Sequence, residues 1–75
     1  MRKMYHGNRY FGVRTGNEIK LYRSGNANVP ATIFSGKTAI DDFEKDMQRC
    51  RTRDAADILM AETIYAYAAN TGIRP

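Results

Sequence analysis

Four stretches of the sequence carry residues that could do chemistry. Ser35-Gly36-Lys37-Thr38 follows an apolar run, Ala31–Phe34, and opens a helical pattern. Strand, SGKT and helix in that order is how a phosphate-cradling loop ends. The full motif also needs a glycine at position 31, where the chain has Ala31. A chain of 75 residues also has no room for the parallel sheet that such nucleotide-hydrolysing sites sit on. What survives is a helix start beside Lys37, able to hold a stray phosphate. His6 is the only histidine and Cys50 the only cysteine, so no zinc set and no nucleophile–base pair can be built. His6 reads as a surface residue and Cys50 as a small hydrophobe on a packed helix face. Asp41, Asp42, Glu44 and Asp46 are spaced as a solvated helix face and not as a paired carboxylate site. The expectation is a non-enzymatic protein with no cofactor and no metal.

Two further groups could bind instead of catalyse. Tyr10, Arg14, Lys20, Tyr22 and Arg23 interleave aromatics with cations along two strand-like segments. Single-stranded nucleic acid is held by that mixture, bases on rings and phosphates on cations. An ordinary cross-strand tyrosine pair with solubilising charges accounts for the same residues. Arg49, Arg51 and Arg53 form a basic helix end, interrupted upstream by Asp46 and followed by Asp54 and Asp57. A helix-turn-helix reading fails there, because the following helix is apolar and not a polar recognition helix.

The elements that position these groups follow from patterning. Residues 1–8 read as an irregular lead-in. Arg9–Arg14 and Glu18–Arg23 alternate apolar and polar residues, as half-buried strands do. Phe11 and Val13 are expected on the same face as Ile19 and Leu21, which requires a three-residue loop at Thr15-Gly16-Asn17. A third strand runs from about Pro30 to Phe34, with Ala31 and Ile33 inward. Ser35 or Thr38 is expected to cap the first helix. Its apolar stripe is Ile40, Phe43, Met47 and Cys50. Thr52 is a cap for a second helix, about Arg53–Asn70, closed by Gly72, Ile73 and Pro75. The alternative is one continuous helix through Arg51–Arg53. The reading is therefore a single α+β domain, residues 1–75. It has a three-stranded antiparallel meander over 9–34, then two helices over 38–70 packed on one face (β-β-β-α-α). Phe11, Val13, Ile19, Leu21, Ile33, Ile40, Phe43, Met47, Ile58, Leu59 and Tyr65 are the expected core.

Charge and composition bound the function. Hydrophobic residues make up 43% and charged residues 27%, an ordinary globular composition. Residues 1–37 hold seven basic residues against Glu18 alone, a net of +6; residues 38–75 hold five basic and seven acidic, a net of −2. Such asymmetry steers anionic partners or orders a dimer. The second helix is apolar nearly all round, and a sheet and one helix are a poor cover for it. Met60, Ile64 and Tyr67 are accordingly expected on a homodimer or partner face. No run is long enough to span a membrane and the N-terminal residues lack a signal-peptide core. With an unpaired thiol the expected location is cytoplasmic. The leading functional reading is a small protein-binding regulator or inhibitor, of the size phages and mobile elements often encode. The alternative is a nucleic-acid-binding module using the basic aromatic face of the sheet.

Overall fold

A computed structural model describes residues 2–70, with side chains through Tyr67. The fold is α+β: an antiparallel sheet in the order β1-β2-β3-β4, followed by two helices. The strands are β1 (Arg2–His6), β2 (Tyr10–Thr15), β3 (Glu18–Arg23) and β4 (Thr32–Ser35). The helices are α1 (Lys37–Arg49) and α2 (Arg53–Asn70). The sheet thus has four strands and not three: the segment expected as a lead-in is β1, paired with β2 from Arg2↔Thr15 to His6↔Phe11. Its charged composition hides it, because an edge strand with one inward residue needs only Tyr5 to be apolar. Tyr5 is buried and packs edge-on against Phe43 at 5.2 Å.

The β2–β3 register differs from the expected one. Thr15 pairs with Glu18 across a two-residue Gly16-Asn17 turn, so Phe11 lies opposite Tyr22 and Gly12 opposite Leu21. Gly16 has φ 61° and no non-glycine residue among those described has positive φ, the pattern of a type II′ hairpin turn. One step of register exchanges the faces of a strand. Gly12 therefore turns toward the helices, and Phe11 and Val13 turn away from them. A Cβ at Gly12 would sit 2.8 Å from Leu21 Cδ2 and 3.1 Å from Tyr5 Cδ2. Tyr5 and Leu21 fill the space that a side chain of β2 was expected to fill. The β3–β4 register, with Ile19 opposite Phe34 and Leu21 opposite Thr32, turns Thr32 and Phe34 inward on β4 and leaves Ile33, expected inward, 47% exposed.

The core consists of Tyr5, Ile19, Leu21, Phe34, Ile40, Phe43, Ala56, Met60 and Ile64. Of the expected core, Ile19, Leu21, Ile40 and Phe43 are buried, and Met47 and Leu59 pack against its margin. Ile58 and Tyr65 lie outside it, 61% and 79% exposed. The reason is the helix face chosen: α2 buries the stripe Ala56, Met60, Ile64, each four residues after the last.

The two helices are separate. Cys50 is extended (φ −78°, ψ 118°), and Thr52 Oγ1 accepts from the Ala55 N–H at 3.1 Å, as an N-cap should. At the start of α1 the capping position is Gly36, φ 104°, with no side-chain cap, so neither Ser35 nor Thr38 serves. Lys37 instead bonds Asp41 at 2.9 Å one turn on. The expected helix stop at Gly72, Ile73 and Pro75 lies outside the described residues.

A buried carboxylate ties the sheet to α2. Asp57 Oδ1 accepts the backbone N–H groups of Asn8 (2.9 Å), Arg9 (3.0 Å) and Tyr10 (3.1 Å), and Arg9 N–H also reaches Oδ2 at 3.0 Å. The tight β1–β2 turn, closed by Gly7 N–H on Tyr10 O at 2.9 Å, leaves those donors pointing one way. Asn8 Nδ2 adds a bond to Asp54 Oδ1 at 2.9 Å. Gly7 is what admits the carboxylate: a Cβ there would stand 2.1 Å from Asp57 Oδ1.

Candidate functional site

Both helices pack on one face of the sheet, and the opposite face is left open. The register fixes what it shows. Met4, Val13, Lys20 and Ile33 form one cross-strand row, His6, Phe11 and Tyr22 the next, and Arg2, Thr15, Glu18 and Ser35 a third. At the centre the Phe11 and Tyr22 rings stack at 4.8 Å with an interplanar angle of 6°. Met4 beside them is 41% exposed. Arg2 and Lys20 stand against one acid, Glu18, which lies 4.0 Å from the Lys20 ammonium. The face is an apolar and aromatic strip with a mildly basic border.

The sheet residues singled out from sequence divide between the two faces. Lys20 and Tyr22 are on the open one. Tyr10 points to the helix side and packs against the core. Arg14 is also on the helix side, where its Nη1 pairs with Glu44 Oε1 at 3.0 Å and its Nε donates to the Gly16 carbonyl at 3.0 Å. Arg23 pairs with Tyr10 at the end of the sheet and is exposed. The aromatic-cation face is thus built from different residues than alternation suggested. Phe11, Val13, Ile33 and Met4 were missed, because they read as core or as lead-in.

The residues expected on a helix face, Met60, Ile64 and Tyr67, lie on the sheet side of α2. Met60 is fully buried and Ile64 nearly so. Tyr67 stacks on Phe34 at 4.7 Å and 10°. Met60 and Ile64 hold α2 to the sheet, and Tyr67 is half-buried at the margin of the core. Arg49, Arg51 and Arg53 are exposed at the α1–α2 junction.

Glu44 is a charged hub that sequence spacing does not reveal, since its partners lie some 30–40 residues away in the chain. Its carboxylate accepts from the Tyr5 hydroxyl, pairs with Arg14, and lies 3.4 Å from the Lys3 ammonium. The Tyr5 hydrogen bond, then the bond from Arg14 and the nearby cations, hold its acidity below the ordinary carboxylate value against the opposing effect of burial. Burial first, and the Glu44 carboxylate second, push the Tyr5 phenol well above its ordinary value. A cleft of about 360 Å³ beside this hub is lined by Lys3, Arg14, Gly16 and Asn17. Both of its cations are engaged by Glu44, so the hub reads as a strut between α1 and the β1–β2 pair.

Among the described residues no three His, Cys, Asp or Glu side chains gather as a metal site, and no helix is long and apolar enough to cross a membrane. Set beside protein families, characterised proteins and solved structures, the chain matches none.

Proposed function

We propose that the protein is a small non-enzymatic binding module, a regulator or inhibitor that docks on another protein through the open face of its sheet. The observation that carries this reading is the Phe11–Tyr22 stack, set among Met4, Val13 and Ile33 on a face that no described element covers. Apolar and aromatic side chains gathered on one surface and bordered by polar groups mark interaction sites. Aromatic anchors with cationic rims dominate the energetics of protein interfaces. The partner this face fits presents an apolar patch with an acidic border, to meet Arg2, Lys20 and the +6 balance of residues 1–37.

The nucleic-acid reading of the same face is weaker, for a geometric reason. Tyr10 and Arg14 are on the helix side, and the two rings that remain cover one another instead of offering two platforms for bases.

The test is site-specific photo-crosslinking in cells of the native host. A crosslinking phenylalanine analogue replaces Tyr22, and in a control replaces Tyr65 on the exposed side of α2. The expected result is a protein adduct from position 22 that disappears with Ile33→Glu and is absent from position 65. An adduct of twice the chain mass, a nuclease-sensitive adduct, or equal adducts from both positions would each overturn the reading.

A further inference from the structure

β1 is an edge strand, paired with β2 on one side and with no described element on the other. The Gly7 N–H bond to the Tyr10 carbonyl, at 2.9 Å, sets the phase of the β1–β2 ladder. Bonded and non-bonded pairs alternate along an antiparallel ladder, so Tyr5 and Lys3 turn their backbone groups toward Gly12 and Arg14. Arg2, Met4 and His6 turn theirs outward, and no described strand meets them. The same residues carry their side chains on the open face, beside the Phe11–Tyr22 stack. Of the whole strand only Tyr5 is buried.

Sheets blunt such an edge with a bulge, a proline, a very short strand or a covering element. β1 has no proline, and its pairing with β2 runs unbroken from Arg2↔Thr15 to His6↔Phe11. β4, at the other edge, is four residues long and leads through Gly36 into α1. What guards β1 is charge, and at one end only. Arg2 makes no ion pair among the described residues, and Lys3 shares the single carboxylate of Glu44 with Arg14. With the open-face neighbours Lys20 and Glu18, four cations (Arg2, Lys3, Arg14, Lys20) stand here against two acids (Glu18, Glu44). Asp54 and Asp57 lie at the opposite end of the strand, under the β1–β2 turn beyond His6.

We infer that the outer edge of β1 takes an extended segment of the protein partner as a fifth strand, with an apolar residue opposite Met4 and acids at the Arg2–Lys3 end. Main-chain bonds to Arg2, Met4 and His6 supply affinity, and the alternating side chains supply specificity. Acids on the incoming strand meet Arg2 and Lys3, as opposite charges across a ladder stabilise it. A second copy of β1 fits worse, because the seam would hold two arginines and two lysines and no acid from either strand. The inference deepens the proposed function and rests on it: a fifth strand extends the open face past Met4, so one partner covers both the edge and the stack.

Two measurements test it. In the first, the end-blocked peptide Thr-Val-Val-Glu-Glu is titrated into isotope-labelled protein and followed by amide NMR. The expected shifts are largest at the Met4 and His6 amides, and the peptide Thr-Val-Val-Lys-Lys binds about tenfold more weakly. No shift of those amides at millimolar peptide, equal binding of the two peptides, or shifts centred on β4 overturns the inference. In the second, Met4→Pro is combined with the crosslinking residue at position 22. The Met4 N–H takes no part in the β1–β2 ladder, so proline removes an outward donor and leaves that pairing in place. The adduct should fall about tenfold, and by less in Met4→Ala, which keeps the N–H; circular dichroism establishes that both variants are folded. A folded Met4→Pro protein with an undiminished adduct overturns the inference and leaves the proposed function standing. Absence of the adduct without Met4→Pro overturns the proposed function, and the inference with it.

Discussion

The bond between Asp57 and the β1–β2 turn makes a sharp test of how this sheet is held. Replacing Asp57 by alanine leaves the N–H groups of Asn8, Arg9 and Tyr10 without their acceptor. Hydrogen bonds to a charged group contribute about 1.5–3 kcal/mol each when taken singly. Here the three donors share mainly one oxygen, and the turn lies near the surface, where water replaces part of the loss. We expect a destabilisation of about 3 kcal/mol, a large share of the roughly 4–11 kcal/mol available to a chain of this length. In a thermal melt that is a fall of about 12–24 °C.

Gly7 supplies the second half of the test. Its φ is not in the left-handed region, so alanine there strains no backbone. The cost of Gly7→Ala is the collision of the new Cβ with Asp57 Oδ1 at 2.1 Å, which drives the carboxylate off the turn. The next contact, Met60 Cε at 3.0 Å, is the far end of a flexible side chain and yields. Gly7→Ala in the wild type should therefore cost about 2–3 kcal/mol, as overpacking does. In the Asp57→Ala background it should cost about 0.5 kcal/mol or less, giving a coupling near 2 kcal/mol. The assay is a double-mutant cycle by urea denaturation. Equal costs of Gly7→Ala in the two backgrounds would refute the clamp, as would an Asp57→Ala cost below about 1 kcal/mol.

Three other outcomes follow from named contacts. Because the folded protein holds Glu44 below its ordinary value, the stability it contributes is present above that ordinary value and is lost as pH falls through the folded one; thermal melts on a descending acid series should show wild type and Glu44→Gln converging. Tyr5 is shifted the other way, so its contribution is complete below the ordinary phenol value and is lost as pH rises beyond it; an absorbance titration should show one tyrosine ionising only with alkaline unfolding, and Tyr5→Phe should abolish that late step. Gly12→Ala places a Cβ 2.8 Å from Leu21 Cδ2 and should destabilise by about 1–3 kcal/mol in denaturant melts; no loss of stability would mean that β2 faces the other way.

The elements with strong local signals were legible in the sequence. The Thr52 cap opens α2 where the pattern suggested, after α1 ends at an extended Cys50. Ile19, Leu21, Ile40 and Phe43 are buried as their spacing requires. The fourth strand was not legible, because Arg2-Lys3-Met4-Tyr5-His6 carries one inward residue and no alternation strong enough to see. Register was decided by a single residue, Gly16, whose positive φ favours a two-residue turn over the three-residue loop. On the candidate site, alternation identified Lys20 and Tyr22 but could not identify their companions, which depend on that register. The Asp57 clamp had a trace in the sequence: an acid within an apolar helix, matched by Gly7-Asn8 at a turn far away in the chain.

The open face follows from a packing choice that size forces. Two helices can cover one face of a four-stranded sheet and no more in this length of chain. β2 carries Phe11 and Val13 on one side and Gly12 on the other, and its apolar residues cannot all be buried against the same helices. Close helix packing favours the side where β2 is thin, because Tyr5, Leu21 and Met60 already fill that layer. The larger side chains are then left to the uncovered face, where Phe11 finds a partner in Tyr22 and Met4 and Ile33 stay exposed. The fold does not need apolar side chains at Ile33 and Met4, which no described element covers. Their place on the face that also holds the aromatic stack is what an interface requires. The consequence is measurable without knowing the partner. Ile33→Lys should leave the unfolding free energy within about 0.5 kcal/mol of wild type, as exposed substitutions do, while removing the photo-adduct at position 22. A loss of stability instead would mean that Ile33 serves the fold, and the case for the open face as a docking surface would fail with it.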